Sequence, residues 1–172
     1  YPNLIKIPFE SDSKLEPNLI PDSKGDLFKD SLDHSTYQTL IQKPKIILDC
    51  LDKGLQTGVY IDTDMIANTN FDTIFDNLEH IDNYPLLTEG PFFMMLQNGK
   101  SFLEKPLMEK LNVKEDRRTW YRQTGTILFN TDCYDFIKEW NELCHSSFIM
   151  KDWRQFAPYH EETIINVLLW SK

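Results

Sequence analysis

The chain has 172 residues, of which 41% are hydrophobic and 26% are charged, and its net charge is −9. This length and balance suit a single soluble domain with a hydrophobic core. The negative charge argues against a nucleic-acid partner, which needs a footprint of lysine and arginine, but a phosphorylated small molecule remains compatible if a metal ion reverses the local charge. Since no apolar run approaches the roughly 20 residues that cross a bilayer, the sequence predicts no transmembrane segment.

The cysteines and the N-terminal residues indicate the cellular compartment of the protein and whether the chain is processed. Cys133 and Cys144 lie eleven residues apart on one predicted helix, roughly 16 Å along its axis, which is too far for a disulfide. We therefore expect free thiols and a cytoplasmic location. No secretory leader is visible and the chain begins at Tyr1 rather than Met, so we expect a fragment or a processed chain.

An irregular segment and two helices are predicted before the first clear strand. Residues 1–33 are irregular: residues 4–9 could form a short strand, and the polar stretch after them is interrupted by prolines, which predicts a long loop. A helical pattern starts at Ser35. A second helix begins at Pro44, because proline suits a first helical turn, and it ends at Gly54, a residue typical of helix C-termini.

The apolar stretch Val59-Tyr60-Ile61 leads into two aspartates, Asp62 and Asp64. Three apolar residues in a row predict a central strand that is buried on both faces. Ionised carboxylates are expensive to bury alone, and ligands of open α/β sheets bind beyond the carboxyl ends of strands. We therefore interpret the pair as ligands of Mn²⁺ or Mg²⁺ that in turn holds a diphosphate. The competing interpretation is two aspartates that cap a turn.

Predicted strands and helices alternate through the rest of the chain. Strands are predicted at residues 85–88 and 126–130, and helices at 68–75, 106–113, 131–144 and 160–170. The third of these helices is expected to be capped by Thr131 or Asp132, and residues 92–96 fit either a strand or a buried helix. Alternation of this kind is typical of an α/β fold with a largely parallel or mixed sheet.

Five segments between residues 43 and 170 stand in an informative order. They are Lys43-Pro44 with Ile46-Ile47-Leu48, the Asp-x-Asp strand from Val59 to Met65, residues 68–75, Gln123-Thr124-Gly125 with the strand up to Asn130, and His160-Glu161-Glu162 before Asn166 to Trp170. In this order they resemble the nucleotide-sugar glycosyltransferases of the GT-A fold. Each segment alone matches the family pattern only approximately, and the specificity of the resemblance comes from the order of the five segments. The resemblance implies a single GT-A-like domain over residues 1–172, with a mixed, mostly parallel sheet flanked by helices.

The same resemblance implies a metal-dependent, hexosyltransferase-like enzyme that moves a sugar from a UDP- or GDP-sugar donor to a hydroxyl of a glycan or another acceptor. Asp64 would ligate the metal, and Asp62 would bind the metal, the ribose or both. Gln123, Thr124 and Gly125 would border the donor sugar or the acceptor. The residues that we expect to bind the donor are Lys43, Asp62, Thr63, Asp64, Gln123, Thr124 and Gly125. For Lys43 this expectation comes from the residue itself, which could meet a phosphate, although an ordinary lysine on a helix surface is the alternative.

Further candidate site residues lie at the start of the helix predicted at 160–170 and after the strand predicted at 85–88. Glu161 or Glu162 would face the sugar as a base or as a hydrogen-bond anchor, because the positive end of a helix favours an ionised carboxylate. Glu89 and Gly90 would line the acceptor site. His160 is a candidate third metal ligand, although a lone histidine beside acidic residues is more commonly paired and solvated.

Two departures from the family pattern qualify this interpretation. Gln123 stands where the family often has Asn. Little precedes Leu4, so the first strand and helix, which hold the nucleotide base in the family, are either missing or rearranged.

Three further alternatives stay open. The first is a phosphohydrolase of the haloacid dehalogenase type, with Asp62 as its nucleophile. The second is a non-catalytic transferase-like domain that binds a glycan or a partner. The third concerns Arg117, Arg118 and Arg122 near Trp120, which form either a diphosphate clamp or, as we favour, a solvated loop.

Overall fold

The computed structural model describes residues 39, 41–63, 81–89, 104–119, 121–150 and 160–172. These residues form a mixed α/β arrangement of helices and one small sheet. Its helices and strands, in chain order, are α1 (Lys43–Asp52), β1 (Thr57–Ile61), β2 (Leu86–Glu89), α2 (Glu104–Lys110), β3 (Arg122–Asn130), α3 (Tyr134–Cys144), α4 (Ser147–Met150) and α5 (His160–Ser171). Short 3₁₀ helices precede β3 at Glu115–Arg117 and α3 at Thr131–Cys133.

Helix α1 begins and ends where its local chemistry predicts. Proline occupies its first turn, where the missing N–H breaks no hydrogen bond. At the other end Gly54 has a φ of +92°, the left-handed conformation that glycine adopts at little cost. The N–H of Gly54 donates to the Leu51 carbonyl at 2.9 Å, and that of Leu55 to the Cys50 carbonyl at 3.1 Å, the pairing of a Schellman motif. Both predicted ends of this helix are confirmed.

The sheet has three strands in the order β1-β3-β2, and both pairings are antiparallel. Val59 lies opposite Leu128, and Leu87 lies opposite Ile127. The expected mostly parallel sheet is therefore not confirmed among the described strands. The prediction that the Asp-x-Asp strand is central is wrong for them too, because β3 lies in the middle and β1 is only half-buried. Two equally apolar stretches give the same local signal, and only their pairing distinguishes the middle strand from the outer one.

The core lies between the sheet and helices α1, α3 and α5. Helix α3 packs against α1 and α5, and α5 packs against β3. Most of α5 is fully buried, including Ile164, Ile165 and Leu168, and the helix predicted at residues 160–170 is confirmed. Asn166 of α5 fixes this helix to β3, because its side chain accepts from the Arg122 N–H at 2.7 Å and donates to the Arg122 carbonyl at 2.8 Å.

The entry to α3 differs from the prediction. The side chain of Asn130, rather than that of Thr131 or Asp132, caps the turn by accepting from the Asp132 N–H at 3.0 Å. A 3₁₀ helix therefore stands between β3 and α3. Cys50, Cys133 and Cys144 are free thiols, as expected.

Several sequence predictions concern residues outside the described ranges, among them the loop at 1–33, the helix at 68–75 and the segment at 92–96. Within the described ranges, every helix is too short or too polar to cross a bilayer.

Substituting Gly58 tests the packing of β1 on β3. A Cβ atom at this position would lie 2.6 Å from Cζ of Phe129 and 2.9 Å from Cδ2 of Leu55, so the buried Phe129 ring must move. We expect Gly58→Ala to lower the free energy of unfolding by about 1–3 kcal/mol, the usual cost of overpacking. Urea denaturation of the two proteins measures it, and a change below about 0.5 kcal/mol, the range of neutral surface substitutions, would contradict this packing.

Candidate functional site

Five of the predicted site residues meet at one place in the structure. Lys43 comes from the first turn of α1, Asp62 follows β1, Thr124 lies in β3, and Glu161 and Glu162 lie in the first turn of α5. We call these five residues the Lys43 cluster. Hydrogen bonds join residues as far apart in the chain as Lys43 and Thr124, which are separated by 81 positions. The fold therefore assembles the cluster from four separate segments.

The Lys43 ammonium lies at the centre of the cluster. Its Nζ is 3.0 Å from Oδ2 of Asp62, 3.2 Å from Oε1 of Glu161 and 3.2 Å from Oγ1 of Thr124. The residue is only 5% exposed. The alternative interpretation, an ordinary lysine on the solvent-facing surface of the helix, is therefore wrong. An ammonium buried this deeply needs acidic partners, and the cluster provides two within 4 Å.

Asp62 is held on both of its carboxylate oxygens. Oδ2 accepts from Lys43, and Oδ1 accepts from the Tyr60 hydroxyl at 3.0 Å. Its backbone N–H donates to the Gly125 carbonyl at 2.9 Å, which ties the end of β1 to β3. Tyr60 also places its ring beneath the Lys43 ammonium, with 5.8 Å between Nζ and the ring centroid. These contacts fix the orientation of the Asp62 side chain.

Glu161 and Glu162 share Thr124 as a hydrogen-bond partner. The Thr124 backbone N–H donates to Oε2 of Glu162 at 3.1 Å, and the Thr124 hydroxyl lies 3.3 Å from Oε1 of Glu161 and 3.4 Å from Oε2 of Glu162. A hydroxyl has one proton, so it donates to one carboxylate at a time. The other oxygens, Oε2 of Glu161 and Oε1 of Glu162, are shielded from solvent and have no hydrogen-bond partner among the residues that the structure describes.

Burial and charge together set the protonation of the cluster. Burial lowers the pKa of Lys43, but the carboxylates of Glu161 and Asp62 outweigh it and leave that pKa above its ordinary value. Burial raises the pKa of Glu161, which the Lys43 ammonium partly offsets. Burial also raises the pKa of Glu162 to about 7, against the opposing effect of the Thr124 N–H. Near neutral pH the cluster therefore contains a carboxyl group that can exchange a proton.

Helix α5 is anchored on both sides of these glutamates. The indole Nε1 of Trp140 in α3 donates to the Glu161 carbonyl at 2.9 Å, and the Tyr121 hydroxyl lies 3.2 Å from Oγ1 of Thr163. Both contacts are buried. They hold the first turn of α5 against α3 and β3, so the two carboxyl groups have little freedom to move.

The remaining predicted site residues lie around the cluster or outside the described ranges. Thr63 is exposed in the turn after Asp62, and Gln123 and Gly125 flank Thr124 in β3. On β2, Glu89 pairs with Arg122 in the antiparallel register. His160 is the first residue of α5. Asp64 and Gly90 lie outside the described ranges.

The described residues do not by themselves assemble a group of three or more acidic, histidine or cysteine side chains able to hold a metal ion. Only Asp62 of the predicted Asp-x-Asp pair is among them. Its carboxylate oxygens are the ligand type that Mn²⁺ and Mg²⁺ prefer, so its chemistry suits the predicted metal. The metal site stays a prediction.

The arginines before β3 take part in the fold. Arg118 donates to the buried Glu104 at 2.7 Å and lies 5.8 Å from the centroid of the Trp170 ring. Burial raises the pKa of Glu104 to about 6, and the neighbouring Arg118 limits that rise. Nε of Arg117 lies 3.4 Å from the Trp170 carbonyl. Arg118 is therefore engaged in a structural ion pair, an arrangement that neither the clamp nor the solvated loop anticipated.

The sequence favours Tyr60 as a core residue of β1, with stacking on a sugar or a base as the alternative, and its hydrogen bond to Asp62 was not predicted. The signal was present, because residues i and i+2 of a strand lie on the same face, and Tyr60 stands two positions before Asp62. No comparable pattern in the sequence indicated that Glu104 forms a buried ion pair with Arg118.

Comparisons of the chain with known protein families, with curated proteins and with solved structures found no match. The interpretation of the Lys43 cluster therefore depends on its own geometry and on the order of the sequence segments.

Replacing Glu162 tests its raised pKa. The folded protein binds the Glu162 proton more tightly than the unfolded chain, so this contribution to stability is complete below 4.5, the ordinary value, and is lost as the pH rises through about 7. Between pH 5 and pH 8 we expect the stability of Glu162→Gln to rise relative to wild type by about 1–3 kcal/mol. Urea denaturation at a series of pH values measures this difference. The exposed Glu142→Gln is the control, and a difference that stays constant with pH would contradict the assignment.

Removing the Lys43 charge tests the buried ion pairs. Lys43→Met leaves Glu161 buried without a counter-ion, so we expect a loss of about 3–5 kcal/mol at pH 8, and a smaller loss at pH 5, where Glu161 can take up a proton. Adding Glu161→Gln should recover most of the loss. Lys45→Met, in the same helix but exposed and with Asp49 as its ion-pair partner among the described residues, should cost less than about 1 kcal/mol. Equal losses of unfolding free energy for Lys43→Met and Lys45→Met would show that the ion pairs of Lys43 with Asp62 and Glu161 do not stabilise the fold.

Proposed function

We propose that the protein is a metal-dependent glycosyltransferase that moves a sugar from a nucleoside diphosphate donor to a hydroxyl of an acceptor. The observation that carries this proposal is the Lys43 cluster. Lys43, Asp62, Thr124 and the two glutamates belong to four of the five segments whose order resembles the GT-A glycosyltransferases. Nothing in the local sequence requires these segments to meet, yet their polar side chains converge within hydrogen-bond distance.

In the proposed reaction the residues have separate tasks. Asp62 and Asp64 would hold Mn²⁺ or Mg²⁺, and the metal would supply stabilisation of the negative charge on the leaving diphosphate. Asp62 is the member of the cluster best placed for ligand contact, because 29% of its side chain is exposed, compared with 6% for Lys43. Gln123 and Gly125 border the donor sugar beside Thr124. Glu89 and Gly90 line the acceptor site, and His160 supplies a further metal ligand.

The two glutamates suit different roles. Glu161 faces the Lys43 ammonium at 3.2 Å, which favours an ionised carboxylate that anchors the cluster. Glu162 has a backbone N–H rather than a charged group as its partner, and its pKa is raised to about 7. A group with a pKa near the working pH is effective at proton transfer. We therefore assign Glu162 as the group that takes up the acceptor hydroxyl proton.

One observation favours the alternative of a non-catalytic transferase-like domain that binds a glycan or a partner. Oε2 of Glu161 and Oε1 of Glu162 are both shielded from solvent, so an acceptor does not reach either oxygen in this conformation. With these oxygens shielded, the two glutamates would act as structural anchors, and the domain would bind a donor or a glycan without turnover.

Donor binding and donor cleavage test the proposal together. UDP-glucose, UDP-N-acetylglucosamine and GDP-mannose are titrated calorimetrically with Mn²⁺ or with EDTA, and release of UDP or GDP is followed in parallel. We expect binding and slow donor hydrolysis that both require the metal. Asp64→Ala should weaken binding more than about 100-fold, since even outer-shell partners of metal sites contribute about 10–100-fold, whereas the exposed Asp116→Ala should bind like wild type.

The other outcomes separate the alternatives. Metal-dependent binding without cleavage supports the non-catalytic domain. Hydrolysis of p-nitrophenyl phosphate that is lost in Asp62→Asn supports the phosphohydrolase. An absence of metal-dependent heat with all three donors, or equal binding by Asp64→Ala, contradicts the glycosyltransferase.

A further inference from the structure

The Lys43 ammonium has no N–H left for another ligand. An ammonium group has three N–H donors and no acceptor. Asp62, Glu161 and Thr124 each place an oxygen within 3.2 Å of Nζ, so each donor has a protein partner. A donor phosphate could bind Lys43 only by displacing one of them.

The charges around Lys43 also disfavour a phosphate at this position. The carboxyl groups of Asp62 and Glu161 contact the ammonium directly, and Glu162 lies beside them through Thr124. A diphosphate at Lys43 would lie among these three acidic groups without another described cation in contact with the cluster. Since like charges repel strongly in a buried setting, the cluster excludes a diphosphate from its interior.

Within the Lys43 cluster, Asp62 is the residue that can contact a ligand while Lys43 holds it in place. Its side chain is 29% exposed, whereas the side chains of Lys43 and Glu161 are 6% and 4% exposed. Lys43 and the Tyr60 hydroxyl each occupy one of its oxygens. A carboxylate has about four lone-pair sites, so each oxygen can still accept from a ligand or bind a metal while its orientation is fixed by the protein.

We propose that Lys43 is a positioning residue: it holds the Asp62 carboxylate in a fixed orientation at the donor site and does not itself bind the donor phosphates. This inference rests on the proposed function. It changes the role expected for Lys43 from a phosphate contact to a buried support for the Asp-x-Asp motif.

A double-mutant cycle on donor affinity tests the role. Lys43→Met, Asp62→Asn and the double variant are titrated with the UDP- or GDP-sugar that wild type binds, in the presence of Mn²⁺. If Lys43 acts through Asp62, the double variant binds no more weakly than Asp62→Asn, and Lys43→Met alone loses at least about 10-fold, or about 1.4 kcal/mol. If Lys43 contacts the phosphates, the two losses add, which overturns the proposal. Lys45→Met in the same helix is the matched control and should bind like wild type.

A second double-mutant cycle, measured on protein stability without any ligand, tests the contact between Lys43 and Asp62 separately from donor binding. The same four proteins are unfolded in urea at pH 7. Non-additive losses of stability show that Lys43 and Asp62 hold each other, whereas additive losses overturn the proposal. If wild type binds none of the nucleotide sugars, the proposed function fails, and the urea cycle still reports separately whether the contact between Lys43 and Asp62 exists.

Discussion

A single ammonium group, buried among carboxyl groups, is the interaction on which the candidate site depends. Lys43 joins Asp62 after β1, Thr124 in β3 and Glu161 in α5, so one side chain connects the helix before the first strand to the last helix. Without that ammonium, Glu161 would be a buried charge with no counter-ion, which is one of the most costly arrangements in a protein. The positions of the four segments are therefore interdependent.

Such a network is poorly explained by stability alone. Well-packed apolar side chains often stabilise a fold as much as a buried ion pair does. Among the described residues the cluster also leaves one oxygen of each glutamate without a hydrogen-bond partner, which is a cost that a purely structural network would avoid. Residues kept at such cost commonly serve a function. The cost alone indicates a function but no particular reaction, and the proposed transfer of a sugar depends in addition on the order of the four sequence segments that supply the cluster.

The sequence predicted those features that local chemistry determines. Proline at the start of α1 and Gly54 at its end specify that helix almost alone. Strand order depended on contacts between distant segments, so β1 was placed at the centre of the sheet although β3 lies there. The site residues were found from the order of short segments, but the burial of Lys43 was not, because a lysine in the first turn of a helix has the same local pattern whether it faces solvent or the core.

Paramagnetic broadening by Mn²⁺ in the presence of a nucleoside diphosphate tests most directly whether the cluster borders a metal and diphosphate site. In the backbone amide spectrum of the protein, we expect the signals of Asp62, Thr63 and Gly125 to broaden first. The signal of Ser171, roughly 14 Å from Glu162 along α5, should broaden only at higher Mn²⁺ concentrations, and EDTA should restore all signals. Broadening that instead begins at exposed acidic positions such as Glu109 and Glu115, and leaves Asp62 and Gly125 sharp, would contradict the account.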